Sequence, residues 1–140
     1  MSFRIAIEKD FNKPVSEVFA DLGDHETFGR IVGAPIKRVV AGTGPTGANG
    51  LGSVRRVGPK PLGFEETIVA FEKDALIEYK ITKGTPLRNH LGRMVFSPRG
   101  HGCHLSYVIT FDLNIPLLGR VVQKALATGL EQGLTKYARR

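Results

Sequence analysis

The sequence predicts an α+β domain in which a curved antiparallel sheet of about seven strands wraps around one long C-terminal helix. Three observations carry that prediction. Residues 64–113 hold four apolar segments of strand length, separated by turns too short for crossover helices, so these strands must be antiparallel neighbours. After Pro116 the period changes, and residues 117–138 follow a helix of about six turns. Such a sheet cannot leave its inner face wet, and this helix is the only element large enough to cover it.

The elements follow in order along the chain. Residues 3–9 alternate Phe3, Ile5 and Ile7 against Arg4, Ala6 and Glu8, the pattern of a half-buried strand. Pro14 opens a short helix over 14–21 with Val15, Val18 and Phe19 on one side. Asp24 caps a second short helix to about Ile31, with Glu26 in its first turn, and Gly33 and Pro35 end it. Residues 36–41 form a strand. The stretch GTGPTGANGLG at 42–52 looks like a phosphate cradle, but a nucleotide loop is followed by a helix. Here the strand-like SVRRV follows, so a flexible connection between two strands is expected. Strands at 64–72, 76–83, 90–97 and 103–113 complete the sheet.

Pairing Phe96 with Leu105 across the 98–102 turn sets Met94 opposite Tyr107, Gly92 opposite Ile109 and His90 opposite Phe111. Leu105, Tyr107, Ile109 and Phe111 then face inward, and so do Ile77, Tyr79 and Ile81. Residues 67–71, TIVAF, are apolar on both faces, which leaves that strand unoriented and makes it a candidate self-association surface. On the long helix, Leu118, Val122, Ala125, Leu126, Gly129 and Gly133 form one stripe, with Arg120, Lys124 and Glu131 opposite. A glycine in a helix interior costs roughly 1 kcal/mol relative to alanine. Two of them facing a third, Gly92, suggest either unusually close packing or a cavity beneath the helix.

Composition narrows the function classes. A chain of 140 residues with 41% hydrophobic and 24% charged residues suits one soluble domain with one core. The opening residues lack the apolar run of a signal peptide, and no stretch approaches the ~20 apolar residues of a membrane span. The single cysteine, Cys103, fits a reducing cytoplasm. The formal charge of +7 is compatible with nucleic acid, an anionic membrane surface or an acidic ligand. The basic residues are scattered from Arg4 to Arg140, without the basic face and exposed aromatics of a nucleic-acid binder, so nucleic acid is not expected.

With these elements placed, the chain resembles the START-like helix-grip superfamily in its polyketide cyclase/dehydrase branch, often called SRPBCC. The matching pieces are NKPVSEVFADLGD at 12–24, GLGSVRRV at 50–57, EETIVAFEKDALIEYKI at 65–81, FSPRGHGCHLSY at 96–107 and the closing helix after NIP at 114–116. The resemblance covers essentially the whole chain and implies one helix-grip domain over 1–140. The superfamily mixes lipid and hormone carriers, cyclases, ubiquinone-binding proteins and chaperone regulators, so the resemblance leaves activity open. The chain departs from the pattern at Cys103, where a threonine is usual, and Phe28 is the candidate for the aromatic of the second short helix. Arg55 matches an arginine that in related pockets points toward the cavity. There it needs an acidic partner, Glu66 or Glu78, or an anionic group on the ligand.

The expected function is binding of a small hydrophobic ligand such as a lipid, polyketide or quinone between sheet and helix. The lining is expected from Arg55, Tyr79, His90, Gly92, Met94, Tyr107, Ile109, Val122, Leu126, Gly129 and Gly133, with a mouth at loops 42–50 and 84–89. The alternative is a cofactor-independent cyclase or dehydratase using the same pocket, with His90, Tyr107 and Tyr79 as candidate acid and base. Each of these three also suits a plain role, one hydrogen bond at the rim of an apolar core. His101, Cys103 and His104 have ligating side chains, but Cys103 and His104 point to opposite faces of a strand and no further cluster completes four ligands. No metal or cofactor is expected, and monomer and homodimer both remain open.

Overall fold

Seven strands in the order β1-β7-β6-β5-β4-β3-β2 form one antiparallel sheet that curves around the C-terminal helix. The computed structural model describes residues 1–59 and 63–140, for Pro116 the backbone alone. The strands are β1 (Ser2–Phe11), β2 (Ile36–Val40), β3 (Val54–Val57), β4 (Phe64–Glu72), β5 (Leu76–Lys83), β6 (Arg88–Arg99) and β7 (Gly102–Asp112). The helices are α1 (Val15–Gly23), α2 (His25–Val32) and α3 (Pro116–Ala138). This is the helix-grip architecture.

Local chemistry explains the short helices. The Asp24 side chain caps α2 by accepting from the Thr27 N–H at 3.0 Å, satisfying a donor that the helix start leaves free. Gly33 ends α2 at φ 74°, the left-handed conformation that glycine adopts without a Cβ penalty. On α1, Val18, Phe19 and Leu22 are buried, and Phe19 stacks edge-on against Phe71 and Phe96.

The β6–β7 register pairs Phe96 with Leu105, Met94 with Tyr107 and Gly92 with Ile109, as the alternation predicts. It does not continue to a His90–Phe111 pair. A bulge between Arg88 and Leu91 intervenes, with Asn89 at φ 52°, and Leu91 pairs with Thr110. His90 nevertheless keeps its inward direction and is buried. A second bulge explains why TIVAF is apolar throughout. Ile68 pairs with Tyr79, Ala70 with Glu78 and Phe71 with Ile77, so Val69 is the extra residue. Both Ile68 and Phe71 therefore sit opposite inward residues of β5, while Val69 is exposed.

The predicted helix stripe needs correction. The face of α3 that meets the core carries Gly119, Leu130, Gly133, Leu134 and Tyr137, with Val122 half-buried beside them. Leu118, Ala125 and Leu126 are exposed, so the true stripe is rotated by roughly 70° from the predicted one at 100° per residue. The cause is a helix that is apolar on two sides over its first half. The 42–52 connection is also held by its own bonds: the Gly42 N–H donates to the Ala48 carbonyl at 2.9 Å, and the Leu51 N–H to Thr46 Oγ1 at 2.8 Å.

Candidate ligand cavity

The inner face of the sheet is apolar except at one place. Cross-strand pairing sets Arg55 on β3 opposite Glu66 on β4, and Ile68 opposite Tyr79 on β5. Tyr79 in turn lies opposite Gly92 on β6, which lies opposite Ile109 on β7. The Tyr79 ring lies across Gly92, where any Cβ would overlap it. That position lets its hydroxyl reach the Tyr107 hydroxyl of β7, to which it is hydrogen-bonded. The glycine is a slot for a ring rather than empty space.

Arg55 is 1% exposed, and its Nε donates to Glu66 Oε1 at 2.8 Å. Its guanidinium carbon lies 4.5 Å from the centroid of Tyr79 and 4.9 Å from that of Phe28, so one ring from β5 and one from α2 flank it. Burial opposes the charge on Arg55, but Glu66 beside it holds its pKa above the ordinary value. Burial raises Glu66 against the pull of Arg55. One guanidinium nitrogen, Nη2, is buried and has no hydrogen-bond partner among the described residues. Beside this pair, His25 Nε2 lies 2.9 Å from Ser53 Oγ, both fully buried, and His25 Nδ1 has no partner among the described residues.

Over this floor lies a cavity of about 190 Å³. Phe28, Glu66, Tyr79, His90, Tyr107 and Ile109 form its buried floor and walls, with Leu130 of α3 above. Its rim consists of partly exposed residues from α2, the starts of β2 and β4, the end of β3 and the β5–β6 turn, of which Ile36, Val57, Phe64 and Leu87 are the principal ones. Val122 and Leu126 of α3 close the remaining side. His90 accepts from the Ile81 N–H at its Nδ1, 3.0 Å away, so the neutral ring carries its proton on Nε2. Burial, then the nearby Arg55 charge, lowers its pKa to about 4. Burial raises both tyrosines, so they are neutral donors and acceptors at pH 7.

Of the residues expected from sequence, Tyr79, His90, Tyr107, Ile109, Val122 and Leu126 line the cavity. Arg55 stands behind Glu66, whose side chain is the one that lines the space; Glu78 instead pairs with Arg93 outside. Met94 is fully buried core. Gly133 lies against the end of α2, where a Cβ would overlap the Ile31 carbonyl oxygen and approach Val32 Cα to 2.9 Å. Gly129 has nothing within 4 Å of a built Cβ. Neither glycine belongs to the lining, so the pair marks a close helix crossing and an open position. The 84–89 loop contributes Leu87 to the rim, whereas loop 42–50 lies at the other end, against Phe19 and Phe71. The rim from β2, β3 and the start of β4 was missed, because half-exposed apolar residues in short strands look like ordinary strand residues. Glu66 was visible only as a partner for Arg55. His104 bonds Asp10 at 2.7 Å and Glu8 at 3.0 Å on the outer face, away from Cys103, which is buried on the inner one.

Fold and cavity define a START-like helix-grip protein. The chain belongs to the family described as polyketide cyclase / dehydrase and lipid transport, whose model matches residues 2–140. Solved structures share the fold at low identity. A protein of Mesorhizobium loti is 10% identical with a TM-score of 0.74, over 98% of this chain and 95% of that one. Ara h 8.0201 is 18% identical with a TM-score of 0.68, over 99% and 98%. A truncated norcoclaurine synthase of Thalictrum flavum is 12% identical with a TM-score of 0.68, over 98% and 93%. In the sequence comparison with characterised proteins, none matches. Among the described residues, no helix is long and apolar enough to cross a membrane.

Proposed function

We propose that this protein binds a compact hydrophobic molecule in the cavity beneath α3. The observation that carries the reading is an apolar space of about 190 Å³ with its few polar groups gathered on one floor. A dry cavity of about 150 Å³ accommodates a benzene ring. The space therefore suits a ring of one or two cycles, or the head of a quinone or polyketide, better than a whole lipid chain. Of the lining residues, Glu66 carries an acceptor, His90 a donor at Nε2 and the bonded tyrosine pair one further hydroxyl proton, so a ring bearing a single hydroxyl suits the space best. An anionic group is disfavoured, since Glu66 lines the space and already pairs with Arg55.

The enzymatic alternative has less support. His90 uses Nδ1 to accept a backbone N–H, which leaves Nε2 as a donor, and the raised tyrosines are poor bases. Thermal unfolding in the presence of phenols, small quinones, aryl carboxylates and fatty acids tests the binding reading. A ligand at one hundred times its Kd stabilises by about 2.7 kcal/mol. We expect the largest shift from uncharged hydroxylated rings and little from the carboxylates. No shift with any class would overturn the reading.

A further inference from the structure

The outward side of α3 is apolar where a surface helix should be polar. Ile115, just ahead of the helix, is 56% exposed, Leu117 78%, Leu118 44% and Val121 64%. Between Leu113 and Leu130 the chain has no Asp or Glu, and Arg120 and Lys124 stand beside the apolar residues. The strand registers place this helix start at one particular end of the sheet. Ser2 pairs with Asp112, Arg88 also with Asp112, Glu65 with Lys83, Phe64 with Val57, and Val57 with Ile36. That is the end carrying the cavity rim. Lys37, Lys83, Arg88, Arg120 and Lys124 are all exposed there, and none joins a salt bridge among the described residues. Of the acids at this end, Glu65 pairs with Arg56, and Asp112 accepts from Ser2 and Asn89.

We propose that this end of the molecule docks on an anionic bilayer surface. Leu117, Leu118 and Val121 enter the boundary between head groups and acyl chains, and the surrounding cations engage the head groups. Val122 and Leu126 continue the apolar surface from the outward stripe to the rim, so docking sets the cavity mouth against the membrane, where apolar molecules concentrate. Charge complementarity selects this occupant over a second copy of the chain. A two-fold pairing through the stripe would bring Arg120 and Lys124 against their own copies. The stripe is also a few side chains wide, whereas a stable dimer needs about 20–30 residues a side.

Co-sedimentation of the full chain with phosphatidylcholine vesicles, with and without phosphatidylglycerol, tests the proposal. Binding to the anionic vesicles alone is expected, weakening with salt, and falling about fivefold for each of the changes Arg120→Gln and Lys124→Gln. The double variant Leu117→Ser/Val121→Ser should lose binding while keeping the parent's thermal response to a cavity ligand without vesicles. That second readout separates failure of docking from failure of the ligand reading. Equal binding to both vesicle types, no binding, or variants that bind like the parent would overturn the proposal. So would a concentration-dependent dimer that Leu117→Ser/Val121→Ser abolishes, which would assign the stripe to a second copy.

Discussion

At the scale of single residues, the buried pair of Arg55 and Glu66 is the most consequential feature of the interior. Removing one partner strands a buried charge, which costs about 3–5 kcal/mol. Glu66→Ala should therefore lower the urea unfolding free energy by that amount, and Arg55→Met/Glu66→Leu should lose less than either single change. Histidines set the acid limb of stability. Burial lowers His25 and His90 from 6.5 to about 4, so between those values the unfolded chain binds protons that the folded one refuses. Their contribution is present above about pH 6.5 and lost as the pH falls toward 4. His104 acts in the opposite sense. Bonds to Asp10 and Glu8 raise its pKa, so its contribution is present below the unfolded value and lost as pH rises, but solvent screening keeps it small. The net expectation is a urea midpoint that drops between about pH 6.5 and 4, with a shallower drop in His90→Gln.

At the scale of elements, Gly129 and Gly133 of α3 have opposite roles despite being one turn apart. Gly133 lets α3 cross the end of α2 backbone to backbone, and the obstructing atoms are backbone that cannot move aside. Gly133→Ala should destabilise by about 1–3 kcal/mol. Gly129 faces open space, so Gly129→Ala should stabilise by up to about 1 kcal/mol through helix propensity. Thermal denaturation of the two variants reads both signs. Element order and the β6–β7 register from Phe96 to Gly92 were legible because alternation and turn spacing are local properties of the chain, whereas the bulge between Arg88 and Leu91 broke the expected His90–Phe111 pair. The rotation of α3 was not, since Leu117, Leu118 and Val121 add an outward apolar face that shifts any stripe drawn from periodicity. Nor was the orientation of β4 legible, because the extra residue at Val69 inverts the alternation midway. The polar floor was half visible: Arg55 drew attention as a buried charge, but only the cross-strand register could choose Glu66 over Glu78.

At the scale of the whole molecule, sheet curvature and the α3 crossing leave an apolar space whose rim lies at the cationic end of the sheet. The three levels are linked, since the Arg55–Glu66 pair closes the floor, Gly92 seats the Tyr79 ring, and Gly133 sets the height of α3. The central claim is that a compact hydrophobic ligand occupies this space. Its most direct test compares the unfolding temperature of the parent and of Val122→Trp, in which an indole enters the cavity from the rim, with and without a saturating uncharged phenol. The midpoint of the parent should rise with phenol, and a folded Val122→Trp should show no ligand response. An equal rise in both proteins, or no rise in the parent with any ring that fits, would contradict it.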